Sequence, residues 1–185
     1  MSIFDPRFED LCERIPIFPL PGVLLLPGGY LPLNIFEPRY LNMVSDALGG
    51  DRMIGMIQPR QDGNSSNDKL VYDTGCAGRI VNFEETVDGR YLITLKGVVR
   101  FDIKRELAPR NGCRLVEPNW SSYSHDLEEE SNDIPDREDF LQKLKKYFAI
   151  NKINANWDAI EKAPCERHIT SVAMICPFEP LEKQA

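Results

Sequence analysis

Two histidines, five cysteines and many carboxylates are the residues of this chain suited to acid–base, nucleophilic or metal chemistry. Their spacing encodes no such site. Two histidines cannot make a three-histidine metal centre, and neither a His-Glu-x-x-His helix nor a Cys-x-x-Cys pair occurs. Cys12, Cys76, Cys113, Cys165 and Cys176 form an odd, scattered set that reads as reduced and structural. His125 sits in a polar acidic stretch and reads as a solvated loop residue. His168, beside Glu166 and Arg167, reads as a helix-surface or packing residue. Phosphate-cradling loops of the types G-x-x-x-x-G-K-[ST] and G-x-G-x-x-G are absent, as is a G-x-S-x-G elbow. Serine pairings that meet only in space stay open on spacing alone. The serines themselves cluster at Ser65-Ser66, Ser121-Ser122 and Ser124, where turn formation accounts for them. The expectation is a protein that is not an enzyme and carries no cofactor or metal.

The chain has 185 residues, 42% hydrophobic and 28% charged, with a net charge of −7. That suits one globular domain or two small ones, and the acidic balance disfavours a general nucleic-acid binder. No apolar run approaches the roughly 18–20 residues of a membrane span. The start, Met1 to Arg7, is polar and broken by Pro6, unlike a secretory signal. A cytoplasmic location with no membrane partner is expected, which leaves the acceptor patterns at Asn64 and Asn119 without meaning.

Residues 15–36 alternate short apolar runs with Pro and Gly and predict short strands joined by tight turns. Pro38 suits the first turn of a helix whose apolar face is Tyr40, Leu41, Val44, Ala47 and Leu48, ended by Gly49-Gly50. Residues 53–58 predict a strand and 60–69 a mobile loop. Val81 and Phe83, then Tyr91, Ile93 and Leu95, then Val99, Phe101 and Ile103 alternate with polar positions around an Asp88-Gly89 turn. Antiparallel strands with one face in the core and one in water follow, with a bulge or bend at Gly97. Residues 117–139 hold nine acids and one base, so the net negative charge lies in one segment, read as a solvated linker entering a helix. Phe140, Leu141, Leu144 and Phe148 form that helix's stripe. A short helix around 157–162 follows, then another carrying Cys165, Ile169, Val172, Ala173 and Cys176. The last residues open one more helical turn, which suggests that the natural chain continues past Ala185.

An ordered set of short motifs carries a more specific signal. Ile15-Pro16-Ile17-Phe18-Pro19-Leu20, Gly22 to Gly28 (GVLLLPG), Leu31-Pro32-Leu33 and Phe36-Glu37-Pro38-Arg39-Tyr40 resemble the opening of the Lon protease amino-terminal domain. Gly55 to Gln58, Gly75 to Ile80 and Leu95 to Phe101 continue the resemblance in order, and Cys176-Pro177-Phe178 is similar to the end of that family's helical part. The resemblance implies an α+β fold. A PUA-like β-barrel subdomain with one helix (1–118) would be followed by an acidic linker (119–134) and a C-terminal α-helical bundle (135–185). It also implies a non-catalytic, stand-alone substrate-recognition module, because no ATPase or peptidase motif is present.

The expected partner is an unfolded polypeptide or another protein, such as a separate protease, held on an exposed apolar patch or a free sheet edge. Leu24, Leu25, Tyr30, Phe36 and Tyr40 are the candidate contacts, with Arg39 as a polar anchor; Glu37 and Arg39 read as a local pair. An RNA-binding PUA-like domain is the alternative. It would use Arg79, Arg90, Lys96, Arg100, Lys104 and Arg105, with Phe83 or Tyr91 stacking a base.

Overall fold

The proline-broken stretch forms two short strands, β1 (Ile15–Pro19) and β2 (Tyr30–Ile35), joined by the loop 20–29. Helix α1 (Pro38–Leu48) starts with Pro38 at its first position and stops at Gly49, as the residue types dictate. Four strands follow: β3 (Met53–Ile57), β4 (Thr74–Glu85), β5 (Tyr91–Arg110) and β6 (Cys113–Asn119). Helix α2 (Arg137–Ile150) and the short helix α3 (Pro180–Gln184) belong to the C-terminal part. The computed structural model describes residues 6–60, 70–128, 136–151 and 176–184, together with 153, 157, 160, 170 and 172–174. The loop expected at 60–69 lies, apart from Arg60, outside the described residues, as do the Asn64 pattern, Cys165, His168 and Ile169.

The strands make one mixed sheet in the order β2-β5-β4-β3-β1-β6, and β6 pairs back onto β5. Pairings therefore run in a closed circuit through β5, β4, β3, β1 and β6, with β2 attached outside it. β1 and β3 are parallel; every other pair is antiparallel. β2 has a strand neighbour on one side only, which is why Pro32, lacking an N–H, is tolerated in its middle.

Two apolar clusters flank the sheet. The first joins Phe18, Leu25, Ile54, Met56, Cys76, Ile80, Ile93 and Leu95 to Tyr40, Met43, Val44 and Ala47 of α1. Burying each of these larger side chains contributes about 1.5–3 kcal/mol. The second draws Ile15, Ile17, Ile57, Ala77, Val99, Phe101 and Val116 from the five circuit strands and adds Trp120. All five residues of β3 are buried, because both of its faces meet a core.

The expected irregularity at Gly97 is the device that allows this. Ala77 pairs with Val99 but Gly78 pairs with Gly97, so Val98 is an extra residue in β5. A bulge of this kind reverses the face to which the following residues point. Ile93 and Leu95 accordingly pack in the first cluster, while Val99 and Phe101 pack in the second. A second bulge, between Ile80 and Asn82, throws Val81 outward to 49% exposure, and Phe83 is left half-exposed at the rim. Gly97 itself lies against the loop 20–29: its N–H donates to the Gly29 carbonyl (2.8 Å) and its carbonyl accepts from the Gly28 N–H (2.9 Å).

The described start of the acidic segment departs from expectation, and 129–135 lie outside the described residues. Ser121–Leu127 forms 3-10 turns packed on β5 instead of an extended, solvated linker. Arg100, one face-step past the bulge, holds it through Asp126. Beyond it, Asp136 caps α2 by accepting from the Asp139 N–H at 3.1 Å. Leu144 and Phe148 of α2 then bury with Cys176 against Tyr147, Trp157, Ile160, Val172 and Phe178 in a third, smaller cluster.

A Cβ built on Gly97 would sit 2.0 Å from the Leu26 carbonyl oxygen, a backbone atom that cannot step aside. Gly97→Ala is expected to lower unfolding free energy by about 3 kcal/mol in urea titrations. Val87→Ala, at the fully exposed hairpin tip, is expected to stay within about 0.5 kcal/mol.

Candidate functional site

The pairing of β2 with β5 decides which side chains reach solvent. Tyr30 lies opposite Lys96, Pro32 opposite Thr94 and Asn34 opposite Leu92, while Leu31, Leu33 and Ile35 lie opposite Leu95, Ile93 and Tyr91. The second set faces the first core cluster. The first set therefore shares the outer face, where Tyr30 is 57% and Leu92 37% exposed and Pro32 is also exposed. Strand β4 extends this face with Asn82 and Glu84, opposite Thr94 and Leu92. Phe36, 64% exposed, follows the last residue of β2. The result is a mixed strip in which Tyr30, Pro32 and Leu92 stand among Lys96, Thr94, Asn34, Asn82 and Glu84, on paired strands whose backbone is already ordered before a ligand binds.

The structure divides the six expected contact residues. Tyr30 and Phe36 are exposed and Leu24 is half-buried on the loop 20–29. Leu25 and Tyr40 are buried. Leu25 reaches Gly78, where a Cβ would stand 2.6 Å from its Cδ2, and so pins the loop to β4. Tyr40 packs on Phe18 at 4.2 Å between ring centres. Arg39 lies over the Tyr40 ring at 4.6 Å and binds Glu37 through Nη2 (2.8 Å) and Nε (3.1 Å), the local pair expected from sequence. Leu92 and Pro32 join the strip unanticipated, because only the strand register brings them beside Tyr30.

The cations expected to form a basic patch are largely neutralised. Lys104 and Arg105 both reach Glu117 at 2.5 Å, since a bulge at Lys104 puts two consecutive residues opposite one. Hydrogen bonds from Lys104 and then Arg105 hold the Glu117 carboxyl below its ordinary range. Arg90 pairs with Asp88 at 2.8 Å. Phe83 and Tyr91 stack edge-to-face on each other, 5.0 Å apart, instead of standing ready for a base.

Asp126 is the most enclosed carboxylate in these pairs, its side chain 3% exposed. It accepts from the Arg100 backbone N–H (2.9 Å), Nε (2.9 Å) and Nη2 (2.6 Å). Arg100 also lies over Tyr123 at 4.7 Å and within 3.2 Å of His125 Nε2, so this histidine belongs to a side-chain network. Burial opposes ionisation of Asp126, but the bonds from Arg100 outweigh it and the carboxyl lies below its usual value.

Nucleophilic chemistry finds little support in the thiols. Burial pushes Cys12 up to about 11 and raises Cys76, Cys113 and Cys176 as well, so these free cysteines stay protonated at neutral pH. Among the described residues, no group of three or more His, Cys, Asp or Glu side chains is placed to hold a metal ion. No described helix is long and apolar enough to cross a membrane.

A closed circuit of mixed strands with one helix packed on its side defines a mixed α+β domain. The chain belongs to the family described as the ATP-dependent protease La (LON) substrate-binding domain, which matches residues 14–185. It is 29% identical over 125 residues to Lon protease 2 of Myxococcus xanthus, a match covering 65% of this chain and 15% of that protein. With Lon protease 2 of Sorangium cellulosum it shares 32% over 94 residues, covering 50% and 12%. The chain thus spans less than a fifth of the curated relatives it matches. Among solved structures, a Lon N-terminal domain protein from Xanthomonas campestris superimposes with a TM-score of 0.63 at 24% identity, covering 92% of this chain and 87% of that one. The N-terminal domain of the Mycobacterium avium complex Lon protease gives 0.56 at 12% identity, covering 92% and 88%. These two likenesses concern the fold.

Because the folded state holds Asp126 ionised below its ordinary value, its contribution is full above about pH 5 and disappears as acid protonates it in the folded protein. Asp126→Ala is expected to cost about 2 kcal/mol at pH 7, reduced from a fully buried pair by the partial exposure of Arg100. In urea titrations from pH 7 to pH 3, the gap between wild type and variant should close with acid.

Proposed function

We propose that this chain is a substrate-recognition module that captures unfolded or extended polypeptide on the outer face of β2 and β5. Tyr30 and Phe36 are the anchors and Pro32 and Leu92 the apolar surface between them; Leu24 on the loop 20–29, and Arg39 with Glu37 at the start of α1, are further candidate contacts off that face. The observation that carries this reading is the exposure of Tyr30 and Phe36 on and beside a strand whose opposite face is fixed in the core. Aromatic side chains held on rigid backbone contribute large contact area at low entropic cost. Membership of a family described as a substrate-binding domain supports the same role.

In this reading the chain breaks no bonds itself and delivers or retains polypeptides, either alone or beside a separate protease. The circuit of five strands serves as a PUA-like barrel and the C-terminal helices as a bundle that braces it. The protonated free thiols suit a reducing cytoplasm. Leu25 and Tyr40 act through the fold: they fix the loop 20–29 and the start of α1, and so hold Leu24 and Arg39 in place.

The test is titration of the 185-residue chain with a reduced, carboxymethylated polypeptide, followed by tryptophan-independent anisotropy of a label on that polypeptide. Tyr30→Ala and Phe36→Ala should each weaken binding by about tenfold while leaving the unfolding midpoint unchanged. Leu25→Ala should instead lower stability by about 2–5 kcal/mol. Absence of binding to the wild-type chain at tens of micromolar would overturn the reading.

A further inference from the structure

Both ends of the loop that carries Leu24 are held by the C-terminal segment. At one end, Pro21 precedes Gly22, which adopts φ +73°, a left-handed value that favours glycine. Side chains bind both polar groups of Gly22: its N–H donates to Gln58 Oε1 at 3.0 Å and its carbonyl accepts from Lys183 Nζ at 2.9 Å. Gln58, only 3% exposed, also donates from Nε2 to the Pro180 carbonyl at 3.4 Å. One buried amide thus ties the loop to α3. Gln184 adds a contact from α3 to the Thr74 carbonyl, also at 3.4 Å.

At the other end, Gly29 is buried beneath Met174. A Cβ there would lie 2.3 Å from Met174 Sδ and 3.1 Å from Thr170 Cγ2. Between these two points the loop is fastened to the sheet by Leu25 and by the Gly28 and Gly29 bonds to Gly97. Lys183 and Met174 come from separate elements of the C-terminal part, yet they close on opposite ends of one eight-residue stretch, 22–29.

We propose that α3 and Met174 form a strap that holds the loop 22–29 in its binding shape, so that docking of the strap and capture of a polypeptide favour one another. This rests on the reading of Leu24 as a contact residue. A loop fixed at both ends loses less freedom when a ligand orders it, and any gain in affinity from the docked strap must be matched by an equal stabilisation of the strap by the ligand. Lys183 is the release point that a substitution can reach without opening the core. It is half-buried, whereas the Gln58 amide is shut in.

Hydrogen–deuterium exchange on the whole chain tests the first half. Lys183→Met, which keeps the aliphatic stem but removes the donor, and Met174→Ala should each speed exchange at the Val23 to Leu26 amides by at least about fivefold, with the β3 amides unchanged. Titration with the reduced, carboxymethylated polypeptide tests the second. Both variants should bind about fivefold or more weakly, and saturating polypeptide should slow exchange of the α3 amides in the wild type by a similar factor. Unchanged loop exchange in both variants, or undiminished affinity, would overturn the strap. A wild-type chain that binds no polypeptide would overturn the surface reading, and the strap would then stand or fall on loop exchange alone.

Discussion

One extra residue in the longest strand governs this molecule. β5 runs from Tyr91 to Arg110 and pairs with β2, β4 and β6. A strand of that length with unbroken alternation would send all its odd positions to a single side. The bulge at Val98 reverses the phase, so that Ile93 and Leu95 pack on the α1 side and Val99 and Phe101 on the other. Gly97, next to it, admits the backbone of Leu26 to Gly29 to a distance no side chain would permit. The stretch of β5 between the end of the β2 pairing at Lys96 and the start of the β6 pairing at Asp102 is completed by that loop and by Asp126, which accepts from the Arg100 N–H where no strand neighbour is available.

The proposed contact surface follows from alternation along the same strand. With Ile93 and Leu95 facing α1, Leu92 and Thr94 must face outward, and the register sets Tyr30 and Pro32 beside them. The proposed contact strip is thus the reverse side of a core layer, which keeps it rigid. Pro32 in the middle of β2 limits pairing of this edge with another strand, so the side chains of the strip, more than its backbone, are suited to contact. A buried polar group helps fasten each flanking segment, Asp126 the turns 121–127 and Gln58 the helix α3. Polar groups shut in this way hold segments in register because leaving them unpaired is costly.

Much of the framework was legible in the residues. Pro38 and Gly49-Gly50 bound α1, Asp88-Gly89 turns β4 into β5, and Gly97 interrupts an alternating run where the bulge occurs. Ordered motifs such as Ile15 to Leu20 and Phe36 to Tyr40 pointed to the family. What sequence could not show is the sign of each face beyond a bulge. Val81 and Phe83 look like core residues by alternation, yet the shift after Ile80 puts Val81 outside. The site was legible in part for a related reason. Leu24 and Leu25 are adjacent and chemically alike, and only the packing of Leu25 over Gly78 distinguishes anchor from surface. Asp126 and His125 lie in a run of acids indistinguishable from a solvated linker until Arg100, distant in sequence, is brought to face them. Leu92 entered the strip through a pairing register that no local pattern encodes.

The phase reversal can be measured by changing the residue count on and off the bulge. Deleting Val98 leaves Leu95 and Val99 three positions apart in a regular strand, so they still face opposite cores. Deleting Thr94 instead makes Ile93 and Leu95 neighbours that point to opposite sides, although both belong to the first core. The near-ultraviolet circular dichroism of Phe101 and Trp120, which meet edge-to-face at 5.7 Å, and cooperative thermal unfolding should survive the Val98 deletion and collapse on the Thr94 deletion. A Val98-deleted chain that collapses as the Thr94-deleted chain does would contradict the extra residue as the organising constraint.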